Sequence, residues 1–267
     1  MTRILFNCDD FGGTREINAA VLKAHREGVL GSASLMVTGN AFAEAVEIAR
    51  ACPSLKVGLH LALNDAQPVL SKEQIPILVG AEGDFHQHPA TVGIRLAVDS
   101  SARIQAGAEI AAQFERFAAT GLARAHVDSH HHLHMHPFVF RECVRQAAQL
   151  GFERIRVVRE FGDPLPPRRD SNGFAGKLAR HLTFLALAAV SRRFFIQPPL
   201  RALNGILGLW ETGHMNEDYL LGAISQLPSG DWEIYMHLGS DSVSEELSAI
   251  TSPRLKSLLE QRGIERL

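Results

Sequence analysis

The chain has 267 residues, a formal net charge of −2, and 46% hydrophobic and 21% charged residues. These values are typical of a globular protein and exclude a disordered or collagen-like chain. With 27 basic residues against 29 acidic ones, the chain has no positive excess to neutralise a nucleic-acid backbone. We therefore expect no nucleic-acid partner.

The cysteines and the N-terminal segment point to a cytoplasmic protein. Cys8, Cys52 and Cys143 are odd in number, widely spaced and without a CxxC pair, which is typical of reduced, buried thiols. Two adjacent acids within the first ten residues are incompatible with a secretion signal. The apolar stretch 182–190 has nine residues, fewer than the ~20 that span a bilayer. We expect no transmembrane helix.

Apolar segments of strand length alternate with segments of helical periodicity, which predicts a parallel sheet flanked by helices. The predicted strands are 3–8, 32–38, 55–63, 124–129, 153–159 and 232–236. The predicted helices are one capped by Thr14, 41–51 capped by Asn40, 94–119, 138–149, 175–193, 216–226 and one that follows Ser252.

These elements predict an α/β fold of the (β/α)-barrel type. Residues 64–90 form a long loop, and loops of that length are often functional. Residues 160–173 form an irregular link, and neither a repeat nor a linker divides the chain. We therefore expect a single domain over residues 1–267, a TIM-barrel-like variant with fewer than eight clear strands.

Reactive side chains follow several predicted strands, at the end where a parallel barrel builds its active site. In chain order these are Asp9 and Asp10 after the first strand, His60 near the end of the third, His130 after the fourth and His237 after the last. We expect these side chains to meet on one rim of the barrel.

Histidines are concentrated in one segment: six of the 13 lie within the eleven residues 126–136. Strand alternation places His126, Asp128 and His130 on one face. Two imidazoles and one carboxylate with open positions form a standard catalytic site for a divalent ion. Such an ion activates water and polarises a carbonyl oxygen. A second carboxylate beside it can act as general base, so Asp9 and Asp10 can divide these tasks.

Each of these features also has a purely structural interpretation. An Asp-Asp pair at a strand end is a common loop or capping feature, and a histidine in an apolar strand such as His60 is often a hydrogen-bonded core residue. The histidine cluster can be a solvated loop, and His237 can be structural. The two interpretations remain open for each residue.

Several motifs in order along the chain resemble one family. They are NCDDFG at the start, GLHLAL, HVDSHHHLHMHP, Arg156 on the following strand, and the late GLWETGHM and LPSGDWEIYMHLG. Together they are similar to the YdjC-like carbohydrate deacetylases, and the resemblance covers nearly the whole chain. It implies a variant (β/α) barrel that uses a divalent ion to remove an acetyl group from an N-acetylated amino sugar.

The resemblance also implies roles for individual residues. Asp10, His60 and His130 would hold the ion, Asp9 would be the general base, and His237 would protonate the leaving amine or steady the tetrahedral intermediate. The ion would be magnesium or zinc, with manganese and cobalt as alternatives.

Further residues around this set have less defined roles. His126 and Asp128 would support the ligands from behind. Arg156 would contact substrate oxygens or form a structural ion pair. Where the family motif has His-Pro-Gly, this chain has Leu238 between His237 and Gly239. The roles of the remaining cluster histidines are unassigned: His131, His132, His134 and His136.

Within the family the chain looks most similar to the branch associated with hopanoid biosynthesis. This implies an N-acetylglucosaminyl hopanoid as substrate, handled at the inner membrane face. The apolar helix 175–193 could line a lipid groove or rest on a membrane interface, or it could be buried or form a homodimer contact. Alternatives are a deacetylase of soluble chitooligosaccharides, a metal-dependent phosphoesterase and a non-catalytic glycolipid-binding module.

Overall fold

The fold is that of a computed structural model, which describes residues 1–85, 88–161, 174–191, 200–239 and 243–267. Its strands are β1 Thr2–Phe11, β2 Ser32–Leu35, β3 Lys56–Leu61, β4 His126–Ser129, β5 Arg154–Ile155, β6 Gly205–Leu207, β7 Gly230–Met236 and β8 Glu265–Arg266. Its helices are α1 Arg15–Glu27, α2 Phe42–Ala51, α3 Pro89–Val98, α4 Ser100–Ala118, α5 Pro137–Leu150, α6 Phe174–Ser191, α7 Glu217–Gln226, α8 Val243–Thr251 and α9 Pro253–Gln261. A 3-10 segment, His130–Met135, follows β4.

The described strands form one parallel sheet in the order β5-β4-β3-β2-β1-β7-β6, and β8 pairs with β1. The outermost strands of this order meet each other, because parallel bridges join Arg154 to Arg201 and Glu160 to Ile206. The sheet therefore curls round on itself, with the helices outside. This confirms the predicted α/β fold, a (β/α)-barrel variant with fewer than eight strands in the ring.

Strand β1 lies inside the sheet, between β2 and β7, and carries the first acidic pair near its end. It is almost entirely buried, as expected for a parallel strand covered on both faces. The predicted strand 3–8 was too short, because pairing continues past the acids: Met36 N–H donates to the carbonyl of Phe11 at 2.8 Å. Asp9 and Asp10 are therefore part of the strand.

Several predicted helix boundaries are confirmed, and two are wrong. Thr14, Asn216 and Ser252 accept backbone N–H groups at the starts of α1, α7 and α9. Asn40 does not cap α2, which starts at Phe42 with no side-chain cap. The predicted helix 94–119 is two helices, because the Asp99 carboxylate accepts N–H groups of Ser101 and Ala102 and starts α4.

Other differences concern short or cryptic elements. Of the predicted strand 153–159 only Arg154–Ile155 is regular, and β6, α8 and β8 were not predicted. The predicted helix 175–193 corresponds to α6, and its residues 192–193 lie outside the described residues. So does most of the predicted link 160–173.

The apolar core lies on both faces of the sheet and includes the three cysteines, which are free and buried as predicted. Among the described helices, none is sufficiently long and apolar to cross a membrane.

Candidate active site

Three predicted ligands meet at the carboxyl ends of three strands. Asp10 ends β1, His60 lies in β3, and His130 opens the 3-10 segment after β4. Asp10 Oδ1 is 3.1 Å from His60 Nε2 and 2.8 Å from His130 Nδ1. The ligand atoms of all three lie within 4.8 Å of one another. The structure thus brings together two imidazoles and one carboxylate that could hold a metal ion.

Unusual backbone conformations direct these side chains. Asp10 has φ 61°, and the next two residues after His130 have φ 52° and 55°. Such left-handed conformations are rare for residues other than glycine. Gly13 N–H donates to the Asp10 carbonyl at 2.9 Å and stabilises the first turn. In the second turn, the Ser129 hydroxyl oxygen accepts the N–H of His134 at 2.8 Å.

A carboxylate behind His60 sets the orientation of its ring. Asp128 Oδ1 lies 2.7 Å from His60 Nδ1, which leaves Nε2 facing Asp10. Burial alone would lower the pKa of His60, but Asp128 and Asp10 outweigh it and raise that pKa to about 10. Burial alone would raise the pKa of Asp10. Hydrogen bonds from both histidines outweigh the effect of burial, so that the pKa of Asp10 falls well below its usual value.

Arg156 is the centre of a buried ion network. Its guanidinium makes two hydrogen bonds to Asp9, of 2.8 and 2.7 Å, and lies 2.7 Å from Asp128 Oδ2. It also donates to Glu233 at 2.9 Å through Nε. The side chain of Arg156 has no exposed surface. The sequence left two roles open for Arg156, contact with substrate oxygens or a structural ion pair. In the structure Arg156 forms ion pairs and does not contact open space.

His126 belongs to the support of the site and does not reach the ion ligands. The Ser34 hydroxyl donates to Asp128 at 2.6 Å, and its oxygen lies 2.9 Å from His126 Nε2. Burial lowers the pKa of His126 to about 4, so that its ring is neutral at neutral pH. His126 therefore acts on His60 only through Ser34 and Asp128.

Two other groups of donors are close together among the described residues. Asp9, His60 and Asp128 form a buried group, but Arg156 already pairs with both carboxylates. Asp65 and His131 combine with His130 at the surface, where Asp65 is 52% and His131 45% exposed. Of the three groups, that of Asp10, His60 and His130 is partly buried, and none of its ligand atoms forms an ion pair with an arginine among the described residues.

Two clefts border the site. A cleft of about 530 Å³ is lined by Asp10 and His130 together with both polar and apolar residues, among them Thr38, Asn40, Met36 and Phe85. A second cavity, of about 650 Å³, is lined by Asp9 and His237 and is mainly apolar. Asp65 lines both. The predicted base and acid therefore face one space, and two of the predicted ligands face the other.

His237 follows β7 and faces the cavity. Its ring meets Tyr235 edge-on, with centroids 5.8 Å apart. Its Nδ1 is buried and has no hydrogen-bond partner among the described residues. The backbone N–H of His237 donates to Glu246 Oε2 at 2.8 Å.

Glu233 and Tyr235, which the sequence motifs did not single out, and His132, whose role was left unassigned, also form this site. Tyr235 O–H lies 3.0 Å from His132 Nε2, and its ring lies 4.8 Å from the Arg156 guanidinium carbon. Because alternate residues of a strand share a face, Glu233 and Tyr235 were predictable from His237. His132 was not, since its position depends on the left-handed turn.

Comparisons with known proteins show what the chain is similar to. A family model described as YdjC-like protein matches residues 3–261. Proteins named carbohydrate deacetylase are 39% identical over 137 residues in Brevibacillus brevis and 42% over 135 residues in Vibrio vulnificus strain CMCP6. These matches cover 51% of this chain, and 52% and 51% of the two relatives. The chain thus spans about half the length of the curated relatives it matches.

A solved structure is similar over the full length of the chain. It is a protein of Enterococcus faecalis V583 named for a proposed role in cellobiose-phosphate cleavage. The TM-score is 0.74 at 23% identity, with 100% of this chain and 97% of that chain covered. At this identity the similarity supports the fold alone.

Proposed function

We propose that this chain, which belongs to the YdjC-like protein family, is a metal-dependent hydrolase that removes the acetyl group from an N-acetylated amino sugar. The observation that carries the proposal is the position of Asp9. It lies beside the Asp10, His60 and His130 group but outside it, and it faces the same cavity as His237. The deacetylase names of the relatives support the same reaction class.

The donor set fits one divalent ion. Asp10, His60 and His130 supply hard and borderline donors, and Asp128 orients His60 as metal-binding histidines usually require. These donors admit magnesium or zinc, and also manganese or cobalt. A bound ion would supply Lewis acidity toward water and the acetyl carbonyl.

The chain's own residues supply the proton transfers. Asp9 accepts a proton from the attacking water, and the two hydrogen bonds from Arg156 fix the orientation of its carboxylate. His237 donates a proton to the leaving nitrogen, and its Nδ1 has no hydrogen-bond partner in the part of the chain that the structure describes. The amide C–N bond breaks. The oxygen of the attacking water becomes part of the acetate, and the sugar is released with a free amino group.

The two clefts favour an amphiphilic substrate. The cleft lined by Asp10 and His130 has a mixed lining and offers the hydroxyl and amide groups of Thr38, Asn40 and Gln67 to a sugar. The cavity offers an apolar wall to a lipid carrier, made by Ile94, Leu133, Phe184, Leu187 and Leu209. We therefore propose an N-acetylglucosaminyl lipid as substrate, and a hopanoid as its carrier on the resemblance of the motifs. A soluble chitooligosaccharide is the alternative.

Exposed apolar residues lie on α3 and α6, two helices that contribute residues to the lining of this cavity. Ile94 on α3 is 66% exposed and Leu182 on α6 is 56% exposed. Such residues suit contact with a membrane surface, where a lipid-linked substrate would be held. A homodimer through the same face is the alternative, and co-sedimentation with vesicles distinguishes it from membrane contact.

Acetate release tests the proposal. Purified protein is incubated with each divalent ion and with an N-acetylglucosaminyl lipid or di-N-acetylchitobiose. The masses of the products are measured by mass spectrometry. We expect loss of one acetyl group, faster from the lipid, and abolished by a chelator. Faster release from chitobiose would replace the lipid substrate. Tight binding without product would favour a binding module, and turnover of an aryl phosphate would favour a phosphoesterase.

A further inference from the structure

We propose that Glu246 is a positioning residue that fixes His237 for proton donation, an inference that rests on the proposed function. Glu246 lies on α8, an element that neither the motifs nor the predicted elements included. It does not touch the cavity, and it acts through the backbone of the loop that carries His237.

The Glu246 carboxylate joins two loops of the site. Oε2 accepts the backbone N–H of His237 at 2.8 Å, and Oε1 accepts that of Met215 at 3.2 Å. Gly213 also donates a backbone hydrogen bond to it. The 213–215 loop follows Thr212, whose hydroxyl lies 3.4 Å from that of Tyr235. One side chain therefore ties the His237 loop to the loop beside Tyr235.

A buried carboxylate lowers the stability of the fold unless other groups compensate its charge. The side chain of Glu246 is completely buried, and no basic side chain of the described residues forms an ion pair with it. Burial raises the pKa of Glu246, while the backbone donors and His237 oppose that shift. Backbone N–H groups are thus the main groups that stabilise the buried Glu246 carboxylate. The carboxylate, as a charged acceptor, holds these N–H groups in place.

The opposite side of the His237 loop is fixed by packing. Gly239 lies so close to α1 that an added Cβ would be 1.8 Å from Ile17 Cγ1. Leu238 is completely buried, and its backbone amide hydrogen bonds to the Cys8 thiol. A proline at 238 would lack that N–H group. In this chain, α1 and Glu246 therefore hold the loop from two sides.

Substitution of Glu246 should impair the chemical step selectively. Glu246→Gln keeps one acceptor oxygen and Glu246→Ala keeps none. Because general acid catalysis contributes roughly 10²- to 10⁴-fold, we expect kcat to fall about 3- to 10-fold in Glu246→Gln and more in Glu246→Ala. We expect KM and metal affinity to change less than about twofold, since the ion ligands lie on other strands.

Glu109 provides a matched control. It is also completely buried, and its carboxylate accepts the backbone N–H groups of Val69 at 2.8 Å and Leu70 at 2.9 Å. Glu109→Gln and Glu109→Ala should lower the unfolding temperature as the Glu246 variants do, but leave kcat unchanged. Equal losses of kcat in both pairs would show that Glu246 is merely structural and overturn the proposal.

A spectroscopic measurement separates this proposal from the reaction itself. Protein with ¹³C-labelled histidine is compared by NMR, with the His237 ring assigned through its loss in His237→Gln. We expect the His237 signal to shift or broaden in Glu246→Gln and to stay in place in Glu109→Gln. An unchanged signal would overturn the proposal even if the protein is an active deacetylase. If no substrate is turned over, the proposed function fails, and the NMR result still decides whether Glu246 positions His237.

Discussion

At the scale of single residues, one guanidinium connects the proposed general base with the carboxylate that supports the proposed metal site. Arg156 binds Asp9, the proposed base, and Asp128, which orients the proposed ligand His60. The motifs predicted Asp9, Asp10, His60 and His130 because each lies at or near the end of a predicted strand. They could not place Arg156 among three carboxylates, because those carboxylates come from three strands that are distant in sequence.

The Asp128 carboxylate gives the clearest residue-level prediction. We expect Asp128→Asn to weaken metal binding about 10- to 100-fold, the usual cost of losing a carboxylate behind a ligating histidine. Glu233→Gln is the control, because Glu233 also pairs with Arg156 but makes no hydrogen bond to His60 among the described residues. Calorimetric titration with a divalent ion measures both. Equal affinities in Asp128→Asn and wild type would contradict the role of Asp128.

At the scale of elements, small residues in the strands make room for the buried histidines. The ring of His126 lies directly against Gly58 on β3, where an added Cβ would be 2.4 Å from Nδ1. Strand alternation places Gly58 on the same face as His60, and a residue without a side chain leaves space there. The structure shows that at Gly58 this space holds the ring of His126.

Gly58→Ala should therefore destabilise the fold by about 1 to 3 kcal/mol, the usual cost of overpacking a core. Gly107→Ala, in the middle of α4, is the control, because its nearest atom would be 3.8 Å away, an ordinary contact. Removing a helical glycine should stabilise the protein by about 0.5 to 1 kcal/mol. Urea unfolding monitors both changes. Similar free energies of unfolding for the two variants would show that the Gly58 contact is not tight.

At the scale of the whole molecule, alternating elements were sufficient to predict a parallel (β/α) barrel with few strands. The short edge strands could not be predicted, because β5 and β6 have two and three residues and are defined by their pairing with β4 and β7. The contacts of Glu246 on helix α8 could not be predicted either, because its partners are backbone groups that are distant in the sequence or in a loop.

Buried neutral histidines should make the fold sensitive to acid. Burial lowers the pKa of His126 and of His134 to about 4, whereas both are near 6.5 when unfolded. Between these values the unfolded chain binds more protons, so stability is complete above pH 6.5 and is lost as the pH falls toward 4. We expect a loss of about 2 kcal/mol per histidine by pH 5.

Urea unfolding at pH 7, 6 and 5 measures this dependence. His126→Gln removes one of the two groups and should reduce the slope of stability against pH. A free energy of unfolding that is constant from pH 7 to pH 5 would mean that these rings accept protons in the folded protein.

The most direct test of the central claim measures bound metal and acetate release in the same samples of two variants. Asp9→Asn should bind the ion with wild-type stoichiometry and lose nearly all turnover, since Asp9 is the proposed base. His60→Ala should lose both metal and turnover. Full activity in Asp9→Asn, or undiminished metal binding in His60→Ala, would contradict the division of roles between the base and the ion ligands.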